Sequence, residues 1–137
     1  MTEKDKIVGF VAGAFDVIHP GYIEMFNEMR RHCNYIMVGL HDDPSLERAN
    51  KLKPILTAEE RKEILLSLRQ INAVVVYKTE KGLYNILKHV EIDVRFLGSD
   101  YKDSDYTGKD LDLPIRFIDR GHGWSTTKFK KLISESL

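Results

Sequence analysis

Two stretches of this 137-residue chain hold side chains whose types and spacing suit phosphate chemistry. The first is GAFDVIHPGY, Gly13 to Tyr22; the second is DRGHGWSTTKFKK, Asp119 to Lys131. Each combines glycine, polar side chains and the start of a helical pattern. The first amides of a helix have no internal partners, and the helix dipole adds partial positive charge there, so a helix beginning is an anion site. Gly13 lets a ligand approach the backbone closely. Pro20 pre-sets a first helical turn, and the N–H it lacks would be unpaired anyway. His19 stands at that junction. In the second stretch Ser125, Thr126 and Thr127 add hydroxyls beside a helix start. Arg120 offers a planar fork for phosphate oxygens, and Lys51 and Lys53 offer mobile point charges from a polar loop. Such a set calls for an anionic ligand with several phosphates. Phosphoryl or nucleotidyl transfer depends mostly on positioning and charge stabilisation, so amides, hydroxyls, one imidazole and several cations suffice.

The elements that must position these groups alternate strand and helix. Apolar runs at 7–12, 35–40, 73–77, 94–97 and 115–118 read as five strands. Helices are expected from Pro20 to His32, with a stripe of Tyr22, Met25, Phe26, Met29 and Cys33, and from Thr57, where Glu60 completes a capping box. Ile64, Leu65, Leu68 and Ile71 supply the inner face of that second helix. A third helix is marked by Leu83, Ile86, Leu87 and Val90, and a fourth by Phe129, Leu132 and Ile133 with Ser125 or Thr126 as its cap. This order predicts a single α/β domain over 1–137, with a mainly parallel sheet covered on both faces. Ligands in such folds sit beyond the carboxyl ends of the strands. The loops Gly13–His19, Gly98–Tyr101 and Arg120–Thr127 fall at such ends.

Bulk properties narrow the function. Lys plus Arg and Asp plus Glu both total 21, a formal net charge of zero, which argues against bulk affinity for nucleic acid or an anionic membrane. The single Cys33 fits a reducing compartment. No N-terminal apolar region and no 18-residue apolar span occurs, so the expected location is the cytoplasm. His32, Cys33 and His41 fit no usual zinc spacing, and no protein metal ligands are expected. There is no G-x-x-x-x-G-K-[ST], no G-x-G-x-x-G after the first strand and no G-x-S-x-G.

GAFDVIHPGY resembles the G-x-F-D-x-x-H-x-G-H signature of the nucleotidyltransferases. DRGHGWSTTKFKK resembles the second signature of the cytidylyltransferases, R-T-E-G-I-S-T-T-K-I, with Arg120, Gly123, Ser125, Thr126, Thr127 and Lys128 on matching positions. Glu60-Arg61-Lys62 is similar to the E/H-R-K stretch of the middle helix, Asp42 to an Asp after the second strand, and Gly98-Ser99-Asp100-Tyr101 to a G-D-D-W segment. By these motifs the chain resembles the glycerol-3-phosphate cytidylyltransferases.

The resemblance implies a Rossmann-like sheet of order 3-2-1-4-5 and transfer of CMP from CTP to a small phosphorylated metabolite, with release of pyrophosphate. It implies nucleotide contacts at Gly13, Ala14, Phe15, Gly21, Gly98, Asp100, Arg120, Gly123, Trp124, Ser125, Thr126 and Thr127. It places His19 on the triphosphate, makes Lys53 or Lys51 neutralise developing charge, and assigns Arg120 to the β- and γ-phosphates. Asp16, Asp42, Lys51 and Arg61 are expected near the acceptor, Mg²⁺ on the nucleotide phosphates, and a homodimer as the assembly. Two positions depart from the pattern. Tyr22 replaces the second signature His, and Trp124 replaces an Ile. A phenol donates a hydrogen bond but carries no positive charge near neutral pH. Tyr22 therefore either substitutes in catalysis, or His122 or a lysine compensates, or the protein binds nucleotide with little turnover. An adenylyltransferase of the same superfamily is the remaining alternative.

Overall fold

A computed structural model describes residues 5–119 and 121–137. Five strands form one sheet: β1 (Val8–Gly13), β2 (Tyr35–His41), β3 (Ala73–Tyr77), β4 (Val94–Gly98) and β5 (Ile115–Ile118). Their order is β3-β2-β1-β4-β5, as expected, and every pairing is parallel. The helices are α1 (Pro20–Met29), α2 (Ala58–Ser67), α3 (Glu80–His89) and α4 (Thr126–Glu135). Short 3₁₀ turns follow β2 at Pro44–Leu46 and β4 at Ser99–Tyr101.

The strand register opens the cleft. β1 pairs with β2 along its whole length, Val8 to Gly13. Its pairing with β4 covers only Gly9↔Val94 and Phe10↔Arg95. Beyond Phe10 the two strands separate, at the point where the chain's strand order reverses, and this is where doubly wound sheets hold ligands.

Side-chain alternation puts two cores on the two faces. Val11, Ile36, Val38 and Phe96 pack with Phe26 and Met29 of α1 and Leu65 of α2 on one face. Phe10 and Tyr77 pack with Leu83 and Leu87 of α3 on the other. Gly39 is required between them, because a Cβ there would lie 2.5 Å from Phe10 Cζ.

Local signals act largely as the sequence suggests. Thr57 and Glu60 close the capping box, with Glu60 N–H donating to Thr57 Oγ1 and Thr57 N–H to Glu60 Oε1. Three expectations change. α1 ends at Met29, three residues early, because the chain turns through Arg31 and His32 to seat Cys33 in the core. Ile64 is 41% exposed, so the inner face of α2 rests on Leu65, with Leu68 partly buried beyond its end. α4 buries none of its residues; Leu132 and Ile133 face solvent and Phe129 alone of its apolar stripe is half-buried. The described residues contain no helix long and apolar enough to cross a membrane.

Candidate active site

The loop after β1 and the start of α1 are shaped by three local devices. Phe15 adopts φ +47, a left-handed conformation that a side chain accepts only when its surroundings enforce it. Its ring is buried against Tyr22 and Phe26, with centroids at 5.1 and 5.8 Å. His19 is the N-cap of α1: its Nδ1 accepts from the Gly21 N–H at 3.1 Å, so the neutral ring carries its proton on Nε2. Gly21 leaves room for the groups around it. A Cβ there would stand 2.7 Å from His122 Cε1, 2.7 Å from Trp124 Cβ and 2.9 Å from His19 Cε1.

α4 begins beside α1. Ser125 caps it by accepting from the Lys128 N–H at 3.1 Å. Gly123 enters the turn with φ +80 and open space around its α-carbon, so its requirement is conformational. Thr126 joins the two helix starts: its Oγ1 lies 2.6 Å from the Tyr22 hydroxyl and 3.4 Å from His19 Nε2. Tyr22 and Trp124 both stack on the His19 ring, with centroids at 4.2 and 5.6 Å.

His19 is buried, and that burial, with the nearby His122 ring, pulls its pKa below the ordinary histidine value. The structure therefore favours a neutral imidazole, in keeping with its capping bond.

These groups line a cavity of about 1140 Å³ at the carboxyl ends of the strands. Gly13, Ala14, Phe15, His19, Gly21 and Tyr22 come from the first signature; Trp124, Ser125, Thr126 and Thr127 come from the second; Gly98 comes from the end of β4. Residues from all three expected loops thus meet in one space. Lys51 lines it and the exposed Lys53 does not. Asp100 is exposed on the turn after β4, outside the lining, as is Gly123. Arg120 lies outside the described residues.

Three residues expected near the acceptor lie apart from the cavity lining. Arg61 is 2% exposed, and its guanidinium donates to five backbone carbonyls, those of Leu56, Thr57, Ala14, His41 and Asp42. It ties the ends of β1 and β2 to α2, and its burial beneath them keeps it from the cavity. Asp16 is equally enclosed. It accepts from the Ile55 and Leu56 amides at 2.7 and 2.9 Å, and Lys130 Nζ lies 2.5 Å from its Oδ2. Burial alone would raise its pKa, but Lys130 and the two amides outweigh that and hold it below the usual carboxylate value. Asp42 is half-buried at the end of β2, where its carbonyl accepts from Arg61, and it does not line the cavity.

The other side of the cavity holds residues that motif reading passes over: His41, Arg48, Tyr77, Glu80, Arg95, Tyr106 and Thr107. Arg95 is 3% exposed, donates through Nη1 to the Thr107 carbonyl, and stands 5.3 Å from the Tyr106 ring centroid. Its signal in the sequence is a charged residue inside the apolar run of β4, which a strand buried on both faces admits only for a reason.

Comparison with known proteins agrees with this geometry. The family model described as cytidylyltransferase-like matches residues 10–132, from β1 to α4. The chain belongs to that family. Among curated relatives, the bifunctional protein HldE of Wolinella succinogenes is 33% identical over 132 residues, 96% of this chain and 27% of that protein. The HldE of Campylobacter concisus is 31% identical over 134 residues, 97% of this chain and 28% of its own length. The chain thus spans about a quarter of the curated relatives it matches. In fold it is similar to a solved lipopolysaccharide core biosynthesis protein of Thermoplasma volcanium, with TM-score 0.65 and 18% identity, over 83% of this chain and 95% of that one. Family members are nucleotidyltransferase-like, and the cavity between the two helix starts is where this member carries both signatures.

Proposed function

We propose that this protein transfers a nucleoside monophosphate from a nucleoside triphosphate to a small phosphorylated metabolite, releasing pyrophosphate. The observation that carries the reading is the junction of Tyr22, Thr126 and His19, which holds two helix beginnings against one cavity. The triphosphate lies across that junction. Nε2–H of His19 and whichever of the Tyr22 and Thr126 hydroxyls accepts from the other are hydrogen-bond donors to its oxygens. The amides of Thr126 and Thr127, in the first turn of α4, have no partner within the helix and add to the grip. Arg120 and Lys51 supply positive charge against the negative charge that develops on the leaving pyrophosphate. The acceptor phosphate attacks the α-phosphorus directly, with no covalent enzyme intermediate. The acceptor occupies the side of the cavity lined by Arg48, Arg95, Tyr106 and Thr107.

Amides, hydroxyls and an imidazole donor suit phosphate oxygens rather than a metal ion. That donor set fits Mg²⁺ carried on the nucleotide phosphates, where it would neutralise charge, with little direct help from protein. A homodimer and a single catalytic domain over residues 1–137 are part of the same reading.

CTP and glycerol-3-phosphate are the donor and acceptor of the first reading, on the strength of the two signatures. ATP is the second reading of the donor, favoured because the relatives that match nearly the whole chain are HldE proteins. Incubation of the protein and Mg²⁺ with CTP or ATP, with and without a panel of phosphorylated polyols and sugars, tests both. Pyrophosphate release that requires one triphosphate and one acceptor is the expected result. A thermal shift with a triphosphate and no release with any acceptor would leave a binding module instead.

A further inference from the structure

The cavity wall contributed by β2 and α3 holds a group that the transfer reaction does not use. His41, the last residue of β2, is 5% exposed, and its Nε2 has no hydrogen-bond partner among the described residues. Leaving such a nitrogen buried without a partner costs about 1–3 kcal/mol, so its environment calls for an occupant. The nearest charged oxygen is Glu47 Oε1, at 3.6 Å. Glu80 Oε2 stands 4.0 Å from the opposite ring nitrogen. One donor atom from each of the three residues lies within 4.8 Å of the other two.

From His41 Nε2, Glu47 Oε1 and Glu80, we infer a binding site for a divalent transition-metal ion of the zinc class, separate from Mg²⁺ on the nucleotide. The 3.6 Å separation of Nε2 from Glu47 Oε1 is too long for a hydrogen bond. A water between them, at about 2.8 Å from each, would have its two bonds forced to roughly 80°. An ion about 2.1 Å from each atom at a tetrahedral angle would place the two roughly 3.4 Å apart, close to what is seen. One imidazole with two carboxylates is a ligand set for zinc and its first-row neighbours.

The ligands come from three separate elements and are held by their own partners, as metal ligands generally are. Tyr77 stacks on the His41 ring at 4.6 Å and fixes its plane. Arg48 and Thr107 both bind Glu80 Oε1 at 2.8 Å, which leaves Oε2 for the ion. The Glu80 N–H, at the start of α3, donates to both oxygens of Glu47 at 3.0 and 3.2 Å. The two carboxylates and the Arg48 guanidinium sum to one negative charge, so a divalent cation is attracted. The sequence hides this set because its members lie at 41, 47 and 80, a spacing that fits no metal motif.

The test uses the untagged full chain, stripped with chelator and titrated with Co²⁺ and Zn²⁺ without nucleotide. Equilibrium dialysis should give one ion per chain, and the cobalt form should show the intense visible bands of a low-coordinate site rather than the pale spectrum of a hexa-aqua ion. Glu47→Gln changes an exposed side chain and leaves the core intact; it should weaken binding at least tenfold, and His41→Asn should abolish the visible bands. His89→Ala, on the exposed side of α3, should leave both readouts unchanged. Sub-stoichiometric binding, an octahedral spectrum, or equal affinity in Glu47→Gln and the parent would overturn the site. Pyrophosphate release is not a readout of this experiment, so its outcome stands apart from that of the transfer assay.

Discussion

Lys130 Nζ lies 2.5 Å from Asp16 Oδ2, linking the last helix to the loop after the first strand across 114 residues of chain. The pair is mostly buried, with side-chain exposures of 16% and 4%. Since α4 buries none of its own residues, the second signature is held against the first by contacts such as this one, the Tyr22–Thr126 hydrogen bond and the stacking of Trp124 on His19. Removing one partner of a buried pair leaves an uncompensated charge, so Asp16→Asn should lower stability by about 3 kcal/mol in chemical denaturation. The pH dependence has a definite sign. The folded-state pKa of Asp16 is lowered, so its stabilisation is present above the ordinary value of 3.8 and is lost as pH falls through the folded value. The parent should therefore lose stability below about pH 4 more steeply than Asp16→Asn. Equal slopes would show that the Lys130 contact does not form in solution.

Tyr22 is one of the two positions that depart from the motif the sequence resembles, and the structure gives the phenol a partner in Thr126. If its hydroxyl donates to phosphate at the transition state, Tyr22→Phe should lower kcat by about a hundredfold, the usual cost of one such donor. Its effect on stability should be only about 1 kcal/mol, because the ring still stacks on His19 and packs on Phe15. Tyr22→His should restore most of the lost rate. Steady-state kinetics of the two variants decide it: an unchanged kcat in Tyr22→Phe removes the hydroxyl from the reaction.

The strands and the helix starts were legible because each rests on a short-range pattern, whereas the sheet order followed from the family resemblance. Apolar runs give the strands, the Thr57–Glu60 spacing gives α2, and alternating strand and helix restricts the crossovers to one hand. The cavity lining from both signatures was legible for the same reason, since loops at strand ends must converge. What sequence reading could not assign was how a polar group is used once buried. Asp16 and Arg61 sit inside motifs that suggest ligand contact, yet each spends its hydrogen bonds within the protein, on partners 19 to 114 residues away or on the carbonyls of neighbouring turns. Conversely, His41 and Arg95 belong to no motif, and only the pairing of strands brings them to the cavity.

Gly21 poses a contest of two magnitudes. Alanine is better than glycine within a helix by about 1 kcal/mol. Here, however, the added methyl would meet His122 and Trp124 at 2.7 Å and His19 at 2.9 Å, and overpacking of that kind costs about 1–3 kcal/mol. The second effect wins, and it acts on the groups around the triphosphate. Gly21→Ala should change overall stability by no more than about 2 kcal/mol while abolishing the thermal shift produced by nucleoside triphosphate. A normal shift in a folded Gly21→Ala protein would contradict the close packing of the two helix starts.

Arg61 organises the site without touching it. Its donors reach carbonyls at the ends of β1 and β2 and at the start of α2, so they fix where the first signature loop and the polar loop after β2 begin. Lysine preserves the charge but has three donors on one atom and cannot span those carbonyls. Arg61→Lys should therefore cost about 3 kcal/mol or more in denaturant unfolding, comparable to breaking a buried charge network. In whatever fraction folds, KM should rise for both substrates together. A selective rise for the acceptor alone would instead restore the substrate contact that its burial excludes.

His19 links proton binding to the nucleotide grip. Its folded-state pKa is lowered from the ordinary 6.5, first by burial and then by the charge of His122. Between those two values the unfolded chain binds more protons than the folded one, so stability increases with pH through that window. The contribution is complete above about pH 6.5 and is lost as pH falls to the folded value. The cap explains the direction structurally, since a proton on Nδ1 would break the bond from the Gly21 N–H. His19→Asn retains a good N-cap but has no titrating ring, so its stability should vary less than the parent's between pH 5 and about 6.5. Triphosphate binding should act in the opposite sense, because an anion beside the ring favours its charged form. Calorimetry near pH 6 in buffers of different ionisation enthalpy should then show proton uptake on binding, absent in His19→Asn. Proton release, or equal uptake in the two proteins, would place the phosphates away from His19.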